Sequence, residues 1–217
     1  MPRKYENVRL TIRDEEAIKW IAEQQVIRFD TLQELFRIRK TPVSKSDLYS
    51  ICERWKRLGY VKKEKIIGNA PMIIWATSKA IKLAGLPIDK NEKFGKPSFS
   101  TIHHNCAVSA VRLEYEKIGY KWICERSLRQ EFLSSHLPDG LAYNNEFRIL
   151  IEVDRTQKKS KRLQNIMSVN ARTSGINCVD YWVTNGLIEI ANANLQKLQS
   201  DIRNRIRIFA LPLVVNE

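Results

Sequence analysis

His136-Leu137-Pro138-Asp139-Gly140, followed by Phe147-Arg148-Ile149-Leu150-Ile151-Glu152-Val153-Asp154-Arg155, is the stretch whose reading decides the fold. An acid follows a proline, and a strand-like run then ends in two more acids. The run 149–153 is apolar apart from Glu152 and reads as a buried strand of a mixed sheet. Glu152 and Asp154 are two apart, which places them on the same face of a strand. Asp139 belongs to a preceding short strand, 137–143, and Asn144-Asn145 suits a hairpin turn to Phe147. In such a hairpin Asp139 comes close to Glu152 or Asp154. Three converging carboxylates repel one another unless a cation sits among them. Mg²⁺, or Mn²⁺ in its place, is the hard oxygen-seeking ion that would neutralise them. Taken alone the pattern is weak. Acids at strand ends are commonly solvated or paired, and Arg155, Lys158 and Arg162 are at hand.

The chain of 217 residues is long enough for one large or two small domains, and its 43% hydrophobic and 28% charged content is that of a globular protein. Its formal net charge of +13 points to a polyanion, nucleic acid before an anionic membrane surface. No apolar run approaches a membrane span, and no apolar signal core opens the chain. A cytoplasmic protein without membrane insertion is therefore expected. Cys52, Cys106, Cys124 and Cys178 are scattered without a metal-binding spacing, so buried reduced thiols are expected.

Residues 1–88 read as a small basic helical unit. A helix over 13–25 starts with Asp14, Glu15 and Glu16, as the helix dipole favours, and carries the stripe Ala17, Ile18, Ile21 and Ala22, with Trp20 near its edge. Asp30 is expected to cap a second helix running to Phe36, and Ser44 a third, with Asp47 completing a capping box. Leu48, Ile51, Cys52, Trp55 and Leu58 line the buried face of the third helix. Lys45, Tyr49, Arg54, Lys56 and Arg57 are left for solvent or a partner. A hairpin follows over 61–67 and 72–76, with Lys62, Lys63 and Lys65 on its first strand, and one more helix ends near Gly85. Three helices and a basic hairpin are the order of a winged helix-turn-helix, whose third helix enters the major groove while the wing tracks phosphates. Residues 1–96 hold 21 basic and 12 acidic residues, most of the net charge, which favours DNA over a protein partner. Residues 89–100, polar with Gly and Pro, read as a linker.

Residues 101–217 read as a three-layer α/β domain in the order helix (101–117), strand (120–124), acid hairpin, basic helix (to 172), strand (177–184), helix (188–203) and final strand (205–215). Ile102, Val108, Val111, Tyr115 and Ile118 are expected on one side of the first helix, and His103, His104 and Asn105 crowd its first turn. The basic helix carries Lys158, Lys159, Lys161 and Arg162. Pro212 marks the last strand as an edge strand.

This order, with Pro138-Asp139 and then Glu152-Val153-Asp154, resembles the restriction-endonuclease-like core, whose pattern is Pro-Asp, a spacer, then Asp/Glu-x-Lys. Set behind a winged helix, with His103-His104-Asn105 opening the second part and Glu-x-Asp-Arg at the strand end, the chain resembles the replication-relaxation family. That family includes tyrosine-independent plasmid mobilisation relaxases of the MobC type. The resemblance implies an α+β protein with an N-terminal winged helix-turn-helix (1–88) and a restriction-endonuclease-like α/β domain (101–217). It implies that Asp139 and Glu152 bind the metal, with the Val153 carbonyl a further ligand. Asp154 stands where such nucleases have lysine; either Lys158 or Lys161 would reach back as the substitute, or Asp154 would instead be a third metal ligand. His104 would contact phosphate or shuttle a proton.

Two functions follow as expectations. One is a metal-dependent enzyme that nicks plasmid DNA at an origin of transfer, alongside other relaxosome or transfer proteins. The other is a non-catalytic, sequence-specific regulator or relaxosome accessory on a degenerate nuclease scaffold, with the acids in ion pairs. DNA contacts are expected from the third helix and wing residues named above and from Lys159 and Arg162, and a homodimer would suit a palindromic site.

Overall fold

Thr11 starts the first helix through a reciprocal pair of bonds: its hydroxyl accepts from Asp14 N–H at 3.2 Å, and the Asp14 carboxylate accepts from Thr11 N–H at 2.9 Å. A computed structural model describes residues 9–66, 71–89, 94–129 and 136–212. The helix α1 (Ile12–Gln24) buries the expected stripe. Trp20, expected near the edge, is only 1% exposed, and its indole N–H donates to Glu116 Oε1 at 2.9 Å from a distant helix. Gln25 then reverses the chain at φ 64°, in the left-handed region non-glycine residues seldom enter.

A strand absent from the sequence reading follows, β1 (Val26–Arg28). Three residues are too few to show a period; pairing with a strand 45 residues or more away defines them. Because β1 runs straight into α2 (Phe29–Ile38), the helix starts one residue before Asp30. Asp30 is thus no N-cap: its carboxylate accepts from Thr31 N–H at 2.8 Å and from the Arg28 guanidinium. Ser44 does cap α3 (Lys45–Arg57), accepting from Asp47 N–H at 3.1 Å. The box is not reciprocal, however, because the Asp47 carboxylate takes the Ser44 hydroxyl at 2.7 Å instead of its N–H. Leu48, Ile51, Cys52 and Trp55 of α3 are buried as expected.

The strands β2 (Val61–Glu64) and β3 (Ile73–Ala76) pair antiparallel, with residues 67–70 of the expected hairpin outside the described ones. Their sheet has three strands in the order β1-β3-β2, and α4 (Ser78–Leu83) closes this part of the chain.

The helix α5 (Phe99–Lys117) begins inside the stretch read as linker, with Ser98 Oγ accepting from Thr101 N–H at 3.2 Å. Its residues from Cys106 to Leu113 are buried all round, as befits a helix covered on more than one side. Ile102 and Cys106 pack with Val26, Ile73 and Trp75 of the first sheet. Ala107, Val108, Val111 and Tyr115 pack against the second sheet. Arg112 is clasped by Glu23 and Glu116, each at 2.6 Å, and Ser109 Oγ donates to Val26 O at 3.1 Å. The helix therefore contributes to the cores on both sides of residues 89–100. Ile118, expected to face inward, lies past the helix end and is 71% exposed.

The second sheet has five strands: β4 (Lys121–Cys124), β5 (Gly140–Tyr143), β6 (Arg148–Asp154), β7 (Cys178–Val183) and β8 (Ile206–Ala210), in that spatial order. The strands β4, β5 and β6 form an antiparallel meander, and β6, β7 and β8 run parallel. At the β5–β6 turn Asn144 Oδ1 accepts from Glu146 and Phe147 N–H, so the side chain shapes the reversal. The parallel steps need crossovers. They are α7 (Ser160–Ala171), then, after a 3-10 turn at Asn185–Leu187, α8 (Ile188–Leu195) with α9 (Ser200–Arg203). The expected single helix over 188–203 is thus broken in two. A short helix, α6 (Glu125–Leu128), follows β4, and residues 130–135 lie outside the described ones.

The architecture is mixed α and β, with α5 on one face of the five-stranded sheet and α7 and α8 on the other. The strand β8 is an edge, as Pro212 suggests, although Pro212 lies just beyond it and residues 213–215 of the expected strand are outside the described ones. No helix among the described residues is long and apolar enough to cross a membrane.

Candidate functional site

Alternation along β6 settles where its acids go. Ile149, Ile151 and Val153 join the core under α5, and Leu150 joins the core under α7, so Glu152 and Asp154 face the α7 side. Burial is nearly complete: Glu152 is 2% exposed and Asp154 8%. The neighbouring parallel strand sets Tyr181 beside Glu152 in register.

Asp139 enters from the antiparallel neighbour. Its N–H donates to Ile151 O at 3.0 Å, continuing the ladder of Gly140 with Ile151. Its carboxylate bridges two elements: Oδ2 accepts from Val153 N–H at 2.7 Å, and Oδ1 lies 2.8 Å from His104 Nε2 on α5. Gly140 is required next to it, because the Trp122 ring of β4 lies where a Cβ would stand.

Glu152 has its own partners. Oε1 lies 2.7 Å from His136 Nε2 and accepts from Asn170 Nδ2 of α7 at 2.8 Å. Burial pushes the Glu152 carboxyl above its ordinary range and the charge of Asp139 adds to this, while His136 and Asn170 offset part of it. His136 is raised, first by its bond to Glu152. Burial lowers His104, but the bond to and charge of Asp139 outweigh it, so its net direction is also upward. Burial lifts the Tyr181 hydroxyl well above the usual tyrosine range, and its oxygen is buried with no hydrogen-bond partner among the described residues.

Lys158, four residues past Asp154, turns back and pairs with Asp154 Oδ1. Burial lowers its ammonium pKa, against which the fields of both Glu152 and Asp139 act. Asp139, Glu152, Asp154, His104, His136 and Lys158 therefore form one electrostatic cluster at the C-terminal end of β6. In parallel sheets this is where ligands bind. Such a cluster can hold protons between histidine and carboxylate, present carboxylate oxygens to a cation, and set an ammonium beside a bound anion.

Of the six residues expected to be catalytic, five meet here; Lys161, exposed on the first turn of α7, has no contact with them among those described. The acids do not converge as three ligands. Asp154 is drawn to Lys158, and among the described residues no three His, Cys, Asp or Glu side chains are grouped to hold a metal ion. Asp139 and Glu152 remain within each other's field. His136, Asn170 and Tyr181 were missed. His136 stands three residues before Asp139, and a titratable side chain so placed is a signal that sequence reading can use. Asn170 and Tyr181 reach Glu152 only through α7 and β7, and nothing in their spacing points to it.

The expected DNA-facing residues separate by partner. Lys45, Lys56, Arg57, Lys62, Lys65, Lys159 and Arg162 are exposed, and Tyr49 is 44% exposed. Lys62 also donates to Phe94 O at 3.3 Å. Lys63 is bound to Glu53 at 2.8 Å and lies over the Tyr49 ring. Arg54 is turned inward, its Nη2 on both oxygens of the fully buried Asp14 at 2.6 and 2.7 Å, with the Trp55 indole N–H on the same carboxylate at 3.1 Å. Arg54 thus compensates a buried charge.

Comparison of the chain with protein-family models, with curated proteins and with solved structures gave no match.

Proposed function

We propose that this chain is a DNA-binding protein whose β6 end is a strand-nicking centre. The reading takes residues 1–88 as a winged helix-turn-helix, with α3 as the groove helix and β2 with β3 as the wing. It takes α5 through β8 as a restriction-endonuclease-like core. What supports the second part is the order helix, three-strand meander, crossover helix, parallel strand, with Asp139 at the start of the middle meander strand and Glu152 inside the next. What supports the first is the charge of the chain and the exposed basic residues of α3 and β2.

The observation that carries the reading is the meeting of Asp139 and Glu152, each with its own histidine and both in the field of Lys158. Asp139 and Glu152 would hold a Mg²⁺ or Mn²⁺ ion, which when bound polarises a phosphodiester and acidifies a water. Around it, His104 and His136 hold or release protons at Nε2. Lys158 supplies the positive charge that Asp154 displaces from the usual lysine position, and it would stabilise charge developing on the phosphate. By the resemblance of its motifs to the replication-relaxation family, the substrate is plasmid DNA at an origin of transfer, cut with other relaxosome proteins present.

The pairing of Asp154 with Lys158 favours a second reading, in which the acids are structural and the protein is a non-cleaving regulator. Incubation with supercoiled origin plasmid separates the two. Conversion to open circles with Mg²⁺ or Mn²⁺, abolished by EDTA and by Asp139→Ala, is the result expected of the nickase. Tight binding without conversion under either metal would leave the regulator.

A further inference from the structure

The first turns of α5 carry a group of side chains that the cleavage centre does not use. Phe99 is 58% exposed, one of few large apolar side chains among the described residues to be so, and its ring lies 4.1 Å from that of His103. His103 adjoins His104, the partner of Asp139. Arg155 follows Asp154 at the end of β6, and its Nε is buried without a hydrogen-bond partner among the described residues. Asp139 in turn accepts from Val153 N–H at 2.7 Å, two residues before Arg155, so these bonds bring the start of α5 to the strand end that carries Arg155. Burial, and after it the positive charges of Arg155 and of Arg28 at the end of β1, depress the His103 imidazole. Arg28 is held in place by Asp30 at 2.6 Å.

An exposed ring on a histidine, beside a guanidinium with an unused buried N–H, asks for a ligand with an aromatic face and an anionic oxygen. A nucleotide has both. Its base must be unpaired, because in a duplex both faces of each base are covered by its neighbours. We infer that Phe99, His103 and Arg155 form a subsite for one unpaired nucleotide flanking the scissile position, its base stacked on Phe99 and its phosphate on Arg155. The subsite rests on the reading of the β6 end as a phosphodiester site, and it assigns to that site a locally single-stranded substrate. Base–aromatic stacking tolerates any base, so the subsite contributes affinity without sequence preference. A guanidinium such as that of half-buried Arg155 donates charge-assisted hydrogen bonds that phosphate oxygens accept.

The test is fluorescence anisotropy of the full chain with a labelled short oligothymidylate and with a labelled duplex. Phe99→Ala is expected to weaken oligothymidylate binding about tenfold, with the duplex changed less than twofold, and Phe99→Trp to restore it. Arg155→Ala is expected to weaken the same arm, with thermal melting confirming that both variants fold. Unchanged oligothymidylate affinity in Phe99→Ala, an equal loss on both DNAs, or no single-strand binding by the parent chain would each overturn the subsite. Phe99-dependent single-strand binding without plasmid nicking would keep the subsite and remove the cleavage reading.

Discussion

His136 Nε2 lies 2.7 Å from Glu152 Oε1, and this contact joins the segment before β5 to a carboxylate that is almost wholly buried. A buried carboxylate is tolerated only with partners, and His136 and Asn170 are those partners on one oxygen. His136→Ala should therefore lower unfolding free energy by about 1–3 kcal/mol in urea titrations, and abolish nicking with it. A variant as stable as the parent would show that the contact does not hold Glu152.

The same pair predicts a pH dependence. His136 and His104 are both raised above the ordinary histidine value. The folded state then binds protons more tightly than the unfolded one. Their contribution is fully present below the unfolded histidine pKa and is lost as pH rises through the folded values. Glu152, also raised, acts in the same direction. In NMR titrations both imidazoles should titrate above a free histidine, and His104 should return toward it in Asp139→Asn.

Asp14 works in the opposite sense. Burial pushes its carboxyl up, but bonds from Thr11, the charge of Arg54 and the Trp55 indole outweigh this, and it is held below its ordinary value. Its contribution is present above the unfolded carboxylate pKa and is lost as pH falls through the folded one. Asp14→Ala should cost about 3–5 kcal/mol at neutral pH, since it leaves Arg54 facing a buried void. The gap from the parent in urea midpoint should narrow in strong acid; a gap independent of pH would refute this account.

Arg54 and Lys45 should respond differently to replacement. Lys45 is exposed on the first turn of α3, so Lys45→Ala should reduce the slope of log affinity against log salt for duplex DNA by about 0.9. Arg54→Ala should first lower stability, because its guanidinium is committed to Asp14. Equal salt slopes for Lys45→Ala and the parent would remove α3 from the DNA interface.

Lys158→Ala should slow nicking by about a hundredfold, on the scale of losing one preorganised electrostatic group, with duplex affinity nearly unchanged. Lys161→Ala, at a residue exposed on α7, should leave nicking close to the parent rate. The reverse ranking would move the substitute lysine to Lys161.

Local chemistry in the sequence was enough to place most elements. Ser44 and Asp47, the α3 stripe and the Asn144 turn act over three or four residues, and the structure keeps them with small changes of partner. Pro138-Asp139 and Glu152-Val153-Asp154 marked the adjoining strands for the same reason, since a short apolar run bounded by charges is visible in seven residues. Tertiary structure alone decided β1, which exists only because β3 pairs with it, and the burial of Trp20, which depends on α5. It also decided that Glu152 would meet His136 and Asn170, whereas Lys158, four residues past Asp154, is a local partner. Side-chain partners across 16 or more residues depend on how strands and crossover helices stack, and no local pattern records that. What the sequence by itself determined is the set of charged groups and the strands that carry them. Which charges pair is a property of the packed sheet, where burial makes every unpaired one costly.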